Sequence, residues 1–183
     1  GMYVRDARNR DEAWLLDHIE AMGLDEVGFR SRDYVIAVDE AASERAGFGR
    51  VRVDRTDDGE VCELTSLGVL EKWRGQGVGA HVVERLVQTA GDDGFELVYA
   101  FIDEPGYLRQ FGFERVDVAR LPDHLNERLG KKQETVTPGA VPIRVEVDRF
   151  RMPPRLRQAF KRATPEEEET EPQEGPEDFG IDP

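Results

Sequence analysis

The sequence predicts an α+β fold: a mixed, mostly antiparallel twisted sheet flanked by helices, with a central βαβ unit. Three observations predict it. Strand-like segments cluster in the first third and again near the end, instead of alternating with helices throughout. One strand–helix–strand run, residues 61–102, implies a parallel pair, because a crossover that long returns the chain in the same direction. A doubly wound sheet would alternate strand and helix from end to end. With 183 residues, one domain with its own core is the expected organisation.

The elements follow in order. Tyr3-Val4-Arg5 is a short first strand. Asn9, with Glu12 three residues on, has the form of a helix N-terminus. Leu15, Leu16, Ile19 and Met22 then recur at helical spacing, and Gly23 ends the run. Residues 24–33 are polar and irregular, a loop or short helix placed near a substrate. Tyr34–Val38 is a strand, and Asp39–Ala46 a turn. Phe48–Val53 alternates apolar and basic residues, as a half-exposed strand does. Asp57-Asp58-Gly59 is a hairpin turn leading into the strand 61–69.

Val82, Val83, Leu86, Val87 and Ala90 give the helix 79–90 one apolar face, and glycines 91 and 94 stop it. Phe95–Ile102 is nearly all apolar and reads as a buried central strand. A short helix at 105–111, a strand at 113–118 and a helix at 121–129 follow. Val141, Ile143, Val145 and Val147 share one face of a last strand, which Pro142 marks as an edge or a strand start. Pro153-Pro154 opens a final helix through Phe160. The domain therefore runs over 1–163. Residues 164–183 are an acidic tail, too poor in apolar residues to fold by themselves.

Composition narrows the function. The net charge is −14, and nine carboxylates fall in 165–183 with no Lys or Arg among them. Only four of the 25 cationic residues are lysines, so the composition resembles that of an acidic, halophilic-like protein. Such a surface does not suit nucleic acid. There is no apolar run of membrane-spanning length and no apolar segment at the start, so a membrane partner is not expected. One cysteine, Cys62, permits no internal disulfide, which fits a cytoplasmic location. His18, His81 and His124 are too scattered to suggest a metal. The sequence permits a homodimer.

The most informative stretch is 67–83, LGVLEKWRGQGVGAHVV. Gly75, Gly77 and Gly79 alternate in Arg74-Gly75-Gln76-Gly77-Val78-Gly79, and a helix starts at once. Glycines let the backbone approach a ligand, and the first N–H groups of a helix are unpaired and suit a phosphate. A P-loop would need Lys-Ser/Thr after the glycines, and no lysine follows them. A dinucleotide fingerprint, Gly75-x-Gly77-x-x-Ala80 with Glu96 downstream, would belong in the first βα turn. Here two or three strands precede it.

The third kind of loop matches two signatures. Leu67-x-Val69, followed five residues on by Arg74-Gly75-Gln76-Gly77-Val78-Gly79, resembles the signature of the GNAT N-acetyltransferase superfamily. Tyr107-Leu108-Arg109-Gln110-Phe111-Gly112-Phe113 resembles that family's later Phe-Tyr-x-x-x-Gly-Phe element. The resemblance covers residues 3–118, and more weakly 141–147. It implies the GNAT fold and acetyl-CoA as co-substrate, with no metal. It also implies that Leu67 and Val69 bond the pantetheine through their backbone, while Arg74 to Gly79 wrap the pyrophosphate.

The family transfers acetyl directly to an amine, which must first lose a proton. The resemblance implies Glu63 as general base acting through water, since many relatives carry a carboxylate six residues before Val69. The usual proton donor to the thiolate is a tyrosine at the position of Leu108 here, so Tyr107 is the protein donor to test. Arg30 and Arg32 are candidates for binding a substrate carboxylate. Cys62, with no histidine partner in sight, reads as an inert strand residue. Residues 112–122 are similar to the acetyltransferase domains of N-acetylglutamate synthases, which implies an amino-acid amine as acceptor. The expected function is acetyl-CoA-dependent N-acetylation of a small amine or amino acid. The alternatives are protein or peptide N-acetylation, and an acyl-CoA sensor without turnover, which the Leu108 departure motivates.

Overall fold

The computed structural model describes residues 1–167. Seven strands form one sheet in the order β1-β2-β3-β4-β5-β7-β6. They are β1 (Met2–Asp6), β2 (Tyr34–Asp39), β3 (Glu44–Thr56), β4 (Gly59–Val69), β5 (Leu97–Ile102), β6 (Glu114–Arg115) and β7 (Val141–Glu146). All pairs are antiparallel except β4 with β5, joined by the expected crossover through α2 (Val78–Asp92). The other helices are α1 (Glu12–Ala21), α3 (Gly106–Arg109), α4 (Asp123–Thr135) and α5 (Pro154–Lys161).

Strand alternation divides the sheet's residues between two faces. Val35, Ala37, Cys62, Leu64, Val98 and Ala100 meet α2 in the main core. Tyr34, Ile36 and Phe48 meet α1 on the other face, and Tyr99 and Phe101 meet Leu125 and Leu129 of α4. Gly47 and Gly49 let α2 lie close. A Cβ on Gly49 would come 2.8 Å from Val82 and 2.9 Å from Leu86.

Several boundaries moved, each for a local reason. The first helix starts at Glu12 after a 3-10 turn, Asn9–Asp11. Asp11, not Asn9, holds its N-cap position, and the Asp11 carboxylate accepts from the Arg8 N–H at 2.7 Å, which closes the preceding turn. β3 begins at Glu44, so the expected turn 39–46 shrinks to a tight hairpin. The strand expected at 113–118 keeps only Glu114 and Arg115. Pro142 is no edge residue, because β7 lies between β5 and β6; it stands at the strand's start. The helix expected at 121–129 runs on to Thr135. Most of the acidic tail lies outside the described residues.

Two irregularities of β4 build the site. Opposite β3, Phe48 pairs with Gly68 and Arg50 with Thr65, so β4 carries one extra residue there, a bulge. Ser66 within it has a φ of 55°, left-handed backbone that non-glycine residues seldom adopt. On the other side, β4 and β5 pair only at Glu63–Tyr99 and Leu64–Ala100. Beyond these two pairs the strands diverge, and the backbone of β4 from Thr65 onward is left without a strand partner on that side.

Candidate active site

A cleft of about 560 Å³ opens where β4 and β5 part. β4 supplies Leu64, Thr65, Ser66 and Leu67, and β5 supplies Phe101 and Ile102. Gly106, Tyr107 and Leu108 of α3 form one rim, with Asp103 and Glu104 beside them. Leu24 and Asp25 enter from the irregular 24–33 segment. Lys132, Val136 and Thr137, at the end of α4, close the far wall.

Charge is concentrated on that wall. The Lys132 ammonium donates to Thr65 Oγ1 at 2.8 Å and to Glu63 Oε2 at 3.3 Å. Arg128 donates through Nε to Glu63 Oε1 at 3.0 Å and also binds Asp25. Burial pushes the Lys132 ammonium below the usual lysine range, against the pull of Glu63 and Asp25. Burial pushes Asp25 up, but the charge of Arg128 and the N–H of Val27 outweigh it and hold the carboxyl below its usual value. The Ser66 hydroxyl donates to the Asp25 carbonyl at 2.5 Å and so ties the strained bulge to the loop.

The predicted residues fall into two groups. Glu63 is fully buried on the α4 face of β4, bound by Arg128 and Lys132, and does not line the cleft. Tyr107 does line it, and burial pushes its hydroxyl up to about 12. It also packs edge-on against Phe111, ring centroids 5.4 Å apart. Leu108, at the position where relatives carry the tyrosine, is buried in the cleft wall. Arg30 and Arg32 are exposed and stand outside the cleft lining, and Arg30 pairs with Asp33 at 3.2 Å. Cys62 is buried, its thiol pushed up to about 12 by burial. Among the described residues no cluster of metal-ligating side chains occurs. Among them, too, no helix is long and apolar enough to cross a membrane.

Sequence reasoning missed Arg128 and Lys132. Leu125, Arg128, Leu129 and Lys132 recur at helical spacing, which puts two cations on the apolar face of one helix. That conflict was a readable signal of a buried acidic partner.

The glycine loop lies past Val69, after a 3-10 turn, Glu71–Trp73, anchored by the fully buried Trp73. Gly75 and Gly77 have φ of 74° and 80°, which side chains other than glycine's strain to adopt. Among the described residues the N–H groups from Gly75 to Ala80 have no protein acceptor. Space around Gly75 is open. The loop thus fits a pyrophosphate. Arg74 donates through Nε to the Val69 carbonyl at 3.1 Å, so that carbonyl is already engaged. The Gln76 side chain is also engaged, by Thr164.

This combination of a parted β4/β5 pair and a glycine loop with free amides agrees with the model of the acetyltransferase (GNAT) family, which matches residues 3–113. The chain belongs to the GNAT acetyltransferase family. No curated protein matches the sequence. Among solved structures, the N-acetylglutamate synthase of Neisseria gonorrhoeae, complexed with coenzyme A and N-acetyl-glutamate, superposes with a TM-score of 0.64 at 15% identity. It covers 80% of this chain but 35% of its own, so the chain spans about a third of that enzyme. Rv2747 of Mycobacterium tuberculosis, in complex with CoA, gives 0.64 at 16% identity over 79% of this chain and 98% of its own. Arabidopsis thaliana Naa50, with a bisubstrate analogue, gives 0.55 at 13% over 78% and 97%. At such identities these likenesses concern the fold. The GNAT chain is an acyltransferase by family.

Proposed function

We propose that this GNAT protein moves the acetyl group of acetyl-CoA directly to the amine of a small molecule or amino acid. The observation that carries the reading is the cleft between β4 and β5, with the unpaired backbone of β4 on one side and the glycine loop beyond it. The unpaired amides of Gly75 to Gly79 would hold the pyrophosphate, and the backbone near Leu67 the pantetheine. The thioester supplies an activated acyl carbon and a thiolate leaving group.

The chain's own residues then have distinct tasks. Asp103 and Glu104 at the rim favour entry of a cationic amine. The amine must lose a proton before attack. The amine gives its proton to a cleft water, the water passes one to Lys132, and Lys132 in turn hands one to Glu63, so that Glu63 ends protonated and the water is restored. Tyr107 keeps its proton at neutral pH, because burial disfavours the phenolate, and so holds one for the departing sulfur. The far wall built by Lys132, Val136 and Thr137 favours a compact acceptor over an extended peptide.

Arg30 and Arg32 are assigned no contact with the acceptor in this reading; Lys132 is the cation that faces it. The test is release of CoA from acetyl-CoA with a panel of amino acids, polyamines, arylalkylamines and N-terminal peptides. Turnover with the small amines is expected. Turnover confined to peptides would replace the acceptor assignment. Saturable CoA binding without turnover across the panel would mean a sensor.

A further inference from the structure

The family match ends at residue 113, yet the glycine loop is held from outside it. α5 lies along one side of α2. A Cβ on Gly77 would come 2.6 Å from the Leu156 carbonyl oxygen. The Phe160 ring stacks on His81, centroids 4.0 Å apart and 10° from parallel. Arg157 forms a forked pair with Glu84, both contacts 2.8 Å. Just past α5, the Gln76 carboxamide donates to the Thr164 carbonyl at 2.7 Å and accepts from its N–H at 2.9 Å. Glu166 N–H reaches the Lys72 carbonyl at 2.7 Å. At the other end of α5, Arg155 donates to Gln110 at 2.8 Å, next to α3.

The direction of these contacts matters. Positions 77, 81 and 84 share one lateral face of a helix. The free N–H groups at a helix start point along its axis. α5 therefore stands beside the phosphate-facing amides and not in front of them. It braces Gln76 and left-handed Gly77 in the conformation that aims those amides together.

We infer that the C-terminal segment 154–166 is a positioning element of the coenzyme site, holding the glycine loop in its phosphate-binding shape. This rests on the acetyl-CoA reading above. A loop ordered before binding spends less of the binding free energy on its own ordering. The benefit is confined to the phosphate end of the ligand, because the segment does not line the acyl cleft.

The experiment compares the full chain with Phe160→Ala, which removes the stack on His81, using CoA and pantetheine as paired probes. Expected is about a tenfold weaker Kd for CoA with pantetheine binding unchanged. In turnover, KM for acetyl-CoA should rise while kcat, and KM for S-acetylpantetheine, hold. If Phe160→Ala fails to fold, Thr164→Pro removes one hydrogen bond to Gln76 without touching the core, and a smaller change of the same pattern is expected. Equal weakening for both probes would reduce the segment to general stability and overturn the inference. Tighter CoA binding would overturn it too, making the segment a competitor. A wild-type chain that binds neither probe would instead remove the acetyl-CoA reading itself.

Discussion

Glu63 faces the α4 side of the sheet because its neighbours Cys62 and Leu64 take the α2 side. Period-two alternation put it opposite those two, but whether that side meets water or a helix depends on α4. Tyr107 and Leu108 differ in the same way. Both reach the cleft wall, and only Tyr107 has a proton to give. The two proposed proton movers are separable by pH. Glu63→Gln should slow turnover by roughly a hundredfold or more near neutrality. The deficit should shrink toward about pH 10, where the acceptor amine loses its own proton. Tyr107→Phe should lower kcat without that recovery, since its proton is needed after attack. Parallel pH–rate profiles for wild type and Glu63→Gln would remove Glu63 from the proton path.

Among the elements, the glycine loop was the most legible. Its spacing gave its place after β4 and marked it as a loop suited to a phosphate. What spacing did not reveal is that its glycines serve different neighbours. Gly75 faces open space, while Gly77 is closed by the backbone of α5. Gly75→Leu should therefore weaken CoA binding, at a strain cost of about 1–2 kcal/mol, while amides of α5 keep their protection from hydrogen exchange. Gly77→Ala should weaken binding and also expose α5 to exchange, because the new Cβ and Leu156 cannot share 2.6 Å. Unaltered CoA affinity in Gly75→Leu would sink the loop assignment. α4 runs on to Thr135 and so carries Lys132 to Glu63, while β6 is held to β7 by the pairs Glu114–Arg144 and Arg115–Ile143 and by the Val116 N–H on the Pro142 carbonyl.

Across the whole molecule, Asp25, Glu63, Arg128 and Lys132 tie the 24–33 loop, β4 and α4 into one buried unit. Removing one member leaves an unpaired buried charge. Arg128→Met should cost about 3–5 kcal/mol at neutral pH, read by denaturant unfolding. The pH sign follows from Asp25. In the native protein its pKa is lowered, so its contribution is present above the unfolded carboxyl value and lost as pH falls through the folded one. Without Arg128 the largest influence lowering that pKa is gone, so it rises from its wild-type value. The variant should then regain stability relative to wild type as pH falls through the carboxylate range. A loss that stays constant with pH would mean that Arg128 acts by packing alone.

By itself, the sequence determined the sheet's composition, the single βαβ crossover and the family, and it singled out the glycine loop. All of these rest on local periodicity and on residues close together in the chain, where backbone sterics decide. Only the tertiary structure decided which distant residues meet around the cleft and the glycine loop. Lys132 meets Thr65 across 67 residues, Arg128 meets Asp25 across 103, and Thr164 meets Gln76 across 88. Such pairs form because the buried charges and polar groups of one element must find partners wherever packing brings another. The spacing of Arg128 and Lys132 announces that a buried partner exists, but not which residue it is.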